Sequence, residues 1–587
     1  MAMEKEWLGN NAYLLKLFLK NAPQKFWIDS AIKISTSVLN IFSSVWLLHY
    51  LVVRMYTDEN DISNLLVVLL LLLLFHTISL IVQCWYKYYY SPKLDADIKS
   101  KFDRMLMDKS TELALKHYED ADFYDILQQA TECCQQTSFL AFSNIMDGLG
   151  SIAALIGAAL IVLTIDPWLM LFCVFVVPML FFSKRYGFMI AEKERELTRP
   201  RRVRVYANKT LLSKEHMARV KVSNAGKILQ NQYEESFRYS LSVHAKYEKK
   251  LFGLNYLSLS FSISFIAISC YAYGIFRSIS MGPEMVGVFS VMLIAIMNMV
   301  SKLKKLVKCY ENSCAYSIKI NAAKSFFNFG TDGKNGKLIP GALETLEFKN
   351  VSFAYRDKLV LRNVSFVITK GERIAIVGAN GSGKTTLIKL LLGFYDVNDG
   401  EILYNGVNIK EYNPKLYRQK FSALFQDFSI FSIALGENIV MSSCNLNNYE
   451  TISNALNVAG LENSAEDYQR IIGRDYDKNG LVLSNGQRQS LAFARMCCVN
   501  SCVAILDEPS ATLDPISEQA LFDNLLRATS GKTVLFISHR LSTATLVDRV
   551  FFLESGELVH TGCHNYLLDS CENYRELFLC QAAAYKP

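Results

Sequence analysis

Apolar and polar residues follow different patterns in the two halves of the chain. In the first half, apolar residues collect in about six stretches that suit membrane-crossing helices, which need roughly 20 residues each. These stretches are Ile34–Val53, Ile62–Tyr86, Leu149–Ile165, Trp168–Phe182, Phe252–Phe276 and Met285–Val300. In the second half, short apolar strands alternate with helical patterns, which is typical of an α/β domain. We therefore expect an α-helical membrane domain over residues 1–328, a polar Gly-rich linker over 329–342 and an α/β domain over 343–587.

The loops between the apolar stretches predict how the chain lies in a membrane. The segments Lys87–Asn144 and Lys184–Lys250 are long and rich in Lys and Arg, whereas the alternate loops are short and mostly acidic. By the positive-inside rule we expect the long segments and both termini in the cytoplasm, at the cytoplasmic membrane. Helical spacing over Lys93–Leu127 and Ala191–Tyr247 predicts that the membrane helices extend into the cytoplasm. The alternative is a soluble domain in each loop, but roughly 55–65 residues is marginal for an independent domain.

The composition supports a membrane-embedded portion. Hydrophobic residues make up 51% of the 587 residues, and the mean hydropathy is +0.16. The net charge of +7 does not imply a nucleic-acid partner, because Lys and Arg cluster beside the apolar stretches as membrane topology predicts. The 14 cysteines show no regular spacing, which favours free thiols. In the third stretch, Gly150, Ala154 and Ala158 recur at every fourth position and predict close helix packing.

A glycine-rich segment gives the strongest chemical signal in the second half. Residues 378–385 read GANGSGKT and lie between an apolar strand over 373–377 and a helical run over 386–392. Such a loop turns its backbone N–H groups inward around phosphate oxygens, and the helix N-terminus adds positive potential. The Lys384 side chain reaches the β- and γ-phosphates in such loops, and the Thr385 hydroxyl can ligate Mg²⁺. The predicted fold class is therefore an α-helical membrane domain fused to an α/β P-loop ATPase domain.

Other polar residues follow predicted strands and are candidates for the same chemistry. Asp507 ends an apolar strand and can hold Mg²⁺, while Glu508 can accept the proton of an attacking water. Gln426 can sense Mg²⁺ and the water, and His539 can bond the γ-phosphate. Tyr355 can stack on adenine. Taken singly, the two acids suit a solvated turn about as well, and a lone histidine or strand tyrosine is more often structural.

Residues 483–487, which read LSNGQ, precede a predicted helix. A polar, Gly-containing turn at a helix start can bind anions. An ordinary helix cap by Ser484 explains the same turn when it is read alone.

The order and spacing of these segments resemble the ATP-binding-cassette (ABC) superfamily, and the membrane half resembles its fused exporter subclass. The resemblance covers nearly the whole chain and is most specific after residue 343. It assigns catalytic roles to Glu508, His539 and Gln426, and Mg²⁺ ligands to Thr385, Gln426 and Asp507. It assigns nucleotide contacts to Tyr355, Gly378, Asn380, Gly381, Ser382, Gly383, Lys384, Thr385, Thr386, Ser484, Asn485, Gly486, Gln487 and Asp514.

Two segments depart from the family pattern. Asn485 stands where the family signature usually has a glycine. Asn tolerates a left-handed backbone better than most residues, so we expect function to survive, with weaker closure. The segment 474–480 lacks the usual Gly-Glu pair that contacts the membrane domain in exporters.

The resemblance implies a dimer and two cofactors. Family signatures complete the ATP site of a partner subunit, and this chain has one P-loop and one signature, so it is half a transporter. We expect ATP and Mg²⁺ as cofactors and a second half-transporter as partner. A homodimer is favoured because Glu508 and His539 are both present, and a heterodimer stays open. No nucleic-acid partner is expected.

The function expected from these features is ATP-driven export of an amphipathic substrate by alternating access. The neighbourhoods 425–428 and 507–510 resemble exporters of modified bacterial peptides, which favours a peptide. A lipid flippase or multidrug exporter is the alternative. From a different class, an ATP-gated channel or sensor would bind ATP without pumping, and the intact Glu508 counts against it. A soluble ATPase of the same superfamily is excluded by the apolar stretches.

Overall fold

The fold is taken from a computed structural model of the 587-residue chain. It describes residues 2–47, 50, 62–165, 167–168, 176–257, 262–281, 285–330, 336–442, 449–461, 465–475, 477–508, 515–538 and 541–583. Two compact units result, which we call the helical unit (Met1–Leu113 and His117–Phe329) and the α/β unit (Ala114–Lys116 and Gly330–Pro587).

The helical unit consists of helices in its described parts. The helices over residues 2–328 are α1 Ala2–Asn21, α2 Pro23–Ile41, α3 Ile62–Trp85, α4 Ser91–Glu112, α5 Leu115–Tyr118 (which begins in the 114–116 segment of the α/β unit), α6 Ala121–Glu132, α7 Ser138–Ile165, α8 Val176–Leu212, α9 Lys214–Val222, α10 Ala225–Asn255, α11 Ser262–Met281 and α12 Met285–Asn328. Three π-helical turns, Phe42–Trp46, Tyr86–Tyr90 and Cys133–Thr137, each continue directly from a preceding α-helix.

Two continuous helical stretches of the described residues have the length and apolar composition to cross a membrane. They cover Leu66–Glu112 and Ala121–Leu163. The predicted stretches Ile34–Val53, Trp168–Phe182 and Phe252–Phe276 each include residues outside the described ranges. The count of six spans therefore stays a prediction.

Apolar side chains form separate cores along the helical unit. In one, Phe18 of α1 stacks on Phe142 of α7 with ring centroids 4.3 Å apart. In another, Ala154 and Ala158 are completely buried. A Cβ on Gly150 would lie only 2.9 Å from the carbonyl oxygen of Lys33, so α7 and α2 approach closely, as the small-residue spacing predicts.

The long segments Lys87–Asn144 and Lys184–Lys250 are helical, but the helices are interrupted where the sequence predicted continuity. Leu113 has an extended backbone and ends α4, while Ser213 and Ser223 are extended at the two ends of α9. Serine readily leaves helical geometry because its hydroxyl bonds to nearby backbone groups. Pro200 stands inside α8, and the Ser236 hydroxyl donates to its carbonyl oxygen over 2.7 Å, which ties α10 to this position.

The α/β unit contains two sheets. Its strands are β1 Thr345–Tyr355, β2 Lys358–Thr369, β3 Arg373–Val377, β4 Asp399–Tyr404, β5 Val407–Asn408, β6 Phe421–Leu424, β7 Val503–Asp507, β8 Thr533–Ile537, β9 Arg549–Glu554 and β10 Glu557–Gly562. One sheet is antiparallel with the order β2-β1-β4-β5. The other has the order β10-β9-β3-β8-β7-β6 and is parallel except for the edge strand β10.

Apolar cores cover both faces of the parallel sheet. Along β3, Ile374 and Ile376 face the core shared with the antiparallel sheet, whereas Ala375 and Val377 face the opposite core. This alternation explains why β3 is apolar at four consecutive positions, 374–377. The helices around the sheets are α13 Lys384–Leu391, α14 Pro414–Arg418, α15 Leu435–Val440, α16 Tyr449–Val458, α17 Asn485–Cys498, α18 Pro515–Ala528, α19 His564–Ser570 and α20 Glu572–Ala583.

Candidate functional site

The candidate residues collect at the carboxyl edge of the parallel sheet. In the register of the strands, Asp507 at the end of β7 is opposite Ile537 of β8, and Ile537 is opposite Ile376 of β3. The chain leaves these strands at Gly378 and Glu508, so both emerge at the same edge. Ligands bind to open α/β sheets at this edge.

The loop after β3 has the backbone of a phosphate cradle. Gly378, Gly381 and Gly383 have φ values of +157°, +82° and +104°. A Cβ on Gly378 would lie 2.1 Å from the carbonyl oxygen of Leu553, and one on Gly383 would lie 2.6 Å from the Leu361 side chain. The close packing at both positions, and the left-handed φ at Gly381 and Gly383, require glycine.

Lys384 begins α13 and is buried, with only 7% of its surface exposed. Its Nζ donates to the carbonyl oxygens of Gly378 and Ala379 over 2.8 and 3.0 Å. Burial lowers the pKa of Lys384, and the nearby Glu508 and Asp507 oppose this shift. The ammonium therefore lies inside the loop against neutral acceptors, which favours an incoming anion.

Ser382 provides an independent sign that the loop accepts a polar ligand. The residue is 4% exposed, and its Oγ has no hydrogen-bond partner among the residues that the structure describes. A buried hydroxyl without a partner is unfavourable, so the loop is suited to a ligand that bonds to it. Asn380 and Thr385 are exposed on the loop, whereas Thr386 is buried.

Asp507 and Glu508 form the acidic side of the edge. Burial raises the pKa of Asp507 to about 6, and the negative charges of Glu508 and Asp427 add to this shift. The positive charge of Lys384 opposes it. Glu508 has a left-handed backbone with φ +49°, which turns the chain directly after the strand. Gln426 donates from Nε2 to Glu508 Oε2 over 2.9 Å, so two residues 82 positions apart are joined.

Tyr355 lies at the end of β1 in a small aromatic group. Its ring packs edge-on against Phe353 and Tyr395, at 4.9 and 5.3 Å between centroids. The Lys389 ammonium lies 5.8 Å from both tyrosine rings. Because Tyr355 is only partly buried, its ring keeps an accessible surface.

The 483–487 turn forms the N-terminus of α17. The Ser484 hydroxyl accepts from the Gln487 N–H over 3.2 Å, and the Gln487 side chain accepts from the Ser484 N–H over 2.9 Å. This reciprocal capping box leaves Ser484, Asn485, Gly486 and Gln487 exposed.

The backbone at Asn485 is helical and not left-handed, so the tolerance of Asn for a left-handed backbone is not needed here. Asn485 is the first residue of α17 and has no positive φ, because Ser484 supplies the cap before it. The substitution at this position therefore introduces no backbone strain.

Two predicted residues lie outside the part of the chain that the structure describes, namely Asp514 and His539. Sequence analysis missed Asp427, whose charge acts on Asp507, and Lys389, which lies over the Tyr355 ring. For Asp427 the signal was its position directly after Gln426. For Lys389 it was its position on α13, the helix that follows the glycine loop.

Comparison with known proteins agrees with this geometry. The profile of the ABC transporter family matches residues 361–511. The subtilin transport ATP-binding protein SpaT of Bacillus subtilis is 31% identical over 512 residues, which cover 83% of this chain and 81% of that protein. The chain belongs to the ABC exporters.

Other relatives place this ABC exporter in a broad group. The ATP-dependent lipid A-core flippase of Haemophilus ducreyi is 34% identical over 298 residues, about half of each protein. A solved bacterial Atm1-family ABC exporter with ATP bound superposes with a TM-score of 0.81 over 97% of this chain and 99% of that chain, at 21% identity. That structure shows the shared fold.

The family membership establishes the general activity. An ABC exporter hydrolyses ATP and couples this reaction to transport across a membrane. The glycine loop, the acids at the end of β7 and the capped turn all belong to the α/β unit of this exporter.

Proposed function

We propose that the chain is one half of a dimeric exporter that moves an amphipathic peptide across the cytoplasmic membrane. The observation that carries its catalytic part is the Gln426–Glu508 hydrogen bond of 2.9 Å at the sheet edge, beside the buried Asp507. Lipid or drug export is the alternative for the substrate.

The P-loop would hold the ATP phosphates. Its backbone N–H groups and the Lys384 ammonium supply positive potential, and the orphaned Ser382 hydroxyl supplies a further hydrogen bond. The exposed part of the Tyr355 ring is suited to stacking on adenine. The ligand thereby replaces the two loop carbonyls as the partner of Lys384.

The residues Thr385, Gln426 and Asp507 would hold Mg²⁺. An exposed hydroxyl, an amide oxygen and a carboxylate are oxygen donors of the kind that this cation prefers. When bound, the ion neutralises charge on the phosphates. Its positive charge would also stabilise the ionised form of Asp507, whose pKa is raised in the protein alone.

Glu508 is the proposed general base. Its carboxylate accepts the proton of the attacking water, while Gln426 holds the carboxylate in place through its amide. His539 and Asp514 are proposed to assist at the γ-phosphate and at the dimer interface.

The proposed dimer follows from the exposed turn at α17. Ser484 and Gln487 satisfy each other locally, so the turn is preformed, and its helix N-terminus presents free N–H groups to solvent. Each chain supplies one P-loop and one such turn. In the proposed dimer the P-loop of each chain faces the turn of the other chain, and the two chains together complete two ATP sites.

The peptide proposal is supported mainly by the relative named for subtilin transport, which matches most of the chain. The polar residues of the predicted spans carry less weight. The hydroxyls of Ser35 and Ser43 donate to carbonyls of their own helix, and Asn298 donates to Ser44 of another helical segment over 3.2 Å. Such groups bond helices together and need no substrate.

The catalytic part is tested with Glu508→Gln in the full chain. We expect ATP turnover to fall by about 10²–10⁴-fold with ATP binding retained, because the amide keeps the shape but accepts no proton. Glu557→Gln, an exposed residue of β10, is the matched control. Turnover of Glu508→Gln within a few-fold of wild type would refute the base assignment.

The dimer is tested by mixing two variants with impaired hydrolysis, Lys384→Met and Ser484→Ala. Each supplies the half-site that the other lacks, so a mixed dimer should recover activity at one site. A demonstrated mixed dimer without any recovery contradicts the proposed sharing of sites.

The substrate is tested by stimulation of ATP turnover in lipid nanodiscs with a panel of peptides, lipids and dyes. An amphipathic peptide is expected to stimulate most. If a lipid alone stimulates and is flipped while every peptide is inert, the peptide assignment is wrong.

A further inference from the structure

The junction between α3 and α4 has two faces of opposite character. The π-helical turn Tyr86–Tyr90 joins the apolar helix α3 to the polar helix α4. On one face Tyr86 is 6% exposed and packed inside the unit. On the other face Trp85, Tyr88 and Tyr89 are 55%, 72% and 56% exposed. Large aromatic rings are therefore held outside the protein at one level of the helix.

An ionic cluster fixes the inner face of this junction. The Lys25 ammonium lies 2.7 Å from Asp95 Oδ1 and 3.5 Å from Asp29 Oδ2, and it donates to the Ser91 hydroxyl over 3.1 Å. Because Ser91 and Asp95 belong to the first turns of α4, the cluster ties α4 to α2. The rotation of the junction, and so the direction of its outer face, is set by these contacts.

Two exposed lysines of this junction, Lys87 and Lys93, each place their ammonium beside an aromatic ring. Lys93 Nζ lies 4.0 Å from the centroid of Tyr89, and Lys87 Nζ lies 5.3 Å from that of Tyr88. Within the described part of the chain, neither ammonium pairs with a carboxylate. An aromatic ring attracts a cation but carries no net charge, so the face keeps two uncompensated positive charges.

The position along the helix identifies the surroundings of this face. Helix α3 has 24 residues, or about 36 Å at 1.5 Å per residue, slightly more than the roughly 30 Å hydrocarbon core of a bilayer. Its side chains from Leu66 to Trp85 are mostly exposed and apolar. The rings and lysines directly after it then lie at the headgroup level, where Trp and Tyr are enriched in membrane proteins.

We propose that Trp85, Lys87, Tyr88, Tyr89 and Lys93 form a binding site for the headgroup of an anionic phospholipid of the bilayer. Each ammonium can bond a phosphate of such a lipid, and the rings pack beside the glycerol and upper acyl region. The positive charge of the two lysines favours an anionic headgroup over a zwitterionic one. A zwitterionic headgroup brings its own cation, which leaves the two lysines uncompensated.

The test measures lipid preference of the full-length protein. Protein is reconstituted in nanodiscs with equal amounts of phosphatidylglycerol and phosphatidylcholine, and lipids retained after gentle detergent release are counted by native mass spectrometry. Wild type should retain phosphatidylglycerol preferentially. Lys87→Gln and Lys93→Gln should each reduce this preference about fivefold, as expected for one lysine at a membrane surface.

The controls separate a site from bulk charge. Lys99→Gln/Lys227→Gln removes the same charge from exposed, unpaired positions and should leave the preference unchanged, while Lys87→Arg/Lys93→Arg should keep it. Raising salt from about 0.1 M to about 1 M should weaken the wild-type preference, because the Debye length falls to about 3 Å. This measurement needs no variant.

Several results would overturn the proposal. One is an unchanged lipid preference in Lys87→Gln/Lys93→Gln, and another is an equal loss in the charge-matched control. A third is a double variant that loses dimerisation while keeping its lipids, which would assign the face to a partner chain.

Discussion

Two lysines, one in each unit, are buried to nearly the same extent but have opposite surroundings. Lys25 is 6% exposed and Lys384 is 7% exposed. The ammonium of Lys25 contacts the carboxylates of Asp95 and Asp29, at 2.7 and 3.5 Å. The ammonium of Lys384 contacts two neutral carbonyl oxygens instead.

The difference distinguishes two roles of a buried lysine: Lys25 stabilises the fold, whereas Lys384 is positioned to bind a ligand. Lys25 is neutralised inside its own unit, so nothing further is needed at that position. Lys384 has no carboxylate partner of this kind inside the glycine loop. Burial lowers its pKa, and the charges of Glu508 and Asp507 oppose that shift. The helical unit therefore uses burial to stabilise an ion pair, whereas the α/β unit uses it to prepare a binding site.

The largest effect is expected from Lys25→Met, which should destabilise the helical unit by about 3–5 kcal/mol. The change leaves Asp29 and Asp95 without their counter-ion in a partly buried position. Thermal unfolding of the protein in nanodiscs measures it as a lower melting temperature. Adding Asp95→Asn should recover part of the loss. A melting temperature equal to wild type would show that the cluster does not hold the junction.

The matching change at the other lysine, Lys384→Met, should leave nucleotide-free stability near wild type and abolish function. Removing a charge positioned at a transferring phosphoryl group costs about 10²–10³-fold in turnover. Steady-state ATPase assays and nucleotide-binding assays measure the effect. Lys370→Met, at an exposed turn, is the control. If Lys384→Met unfolds the protein as Lys25→Met does, the contrast between the two lysines fails.

A carboxylate in the same site sharpens the comparison through its pH dependence. The folded protein binds a proton at Asp507 with a pKa of about 6, above the ordinary 3.8, so nucleotide-free stability falls as the pH rises through this window. Asp507→Asn removes that penalty. Its stability advantage should be absent below about pH 4 and reach about 3 kcal/mol above pH 6. Melting temperatures between these pH values measure it, and a constant difference would contradict the raised pKa.

The smallest effect concerns the capped turn. Ser484→Ala removes one half of the capping box and should cost about 1 kcal/mol of stability. We expect hydrolysis to decrease without weaker ATP binding to the same chain. Ser484→Thr keeps the hydroxyl and should restore the cap. Normal hydrolysis in Ser484→Ala would limit the turn to a structural role.

The phosphate loop was predictable because its determinants are contiguous. The glycines at 378, 381 and 383 lie between a strand and a helix, and this order alone dictates the turn. The position of Asp507 at a strand end was predictable for the same reason. The Gln426–Glu508 bond was not, because it depends on β6 lying beside β7 in the sheet.

Local backbone geometry accounts for much of the difference between the predicted and the observed helices. Periodicity predicted unbroken helices across Leu113, Ser213 and Ser223, since none of these residues is Gly or Pro. Conversely, the proline at 200 stands inside α8. The backbone at Asn485 is determined by the serine before it, which caps the helix. The residue type of Asn485 alone did not indicate this.

Helix α12 has a mechanical consequence. Its 44 residues form one uninterrupted rod of about 66 Å at 1.5 Å per residue, roughly twice the thickness of a bilayer core. A tilt of about 10° at one end of such a rod displaces the other end by about 11 Å. A small tilt of this helix therefore produces a large displacement of its far end. If the rod pivots at Met285, Asn328 moves about four times as far as Ala295, because it lies about four times as far along the helix.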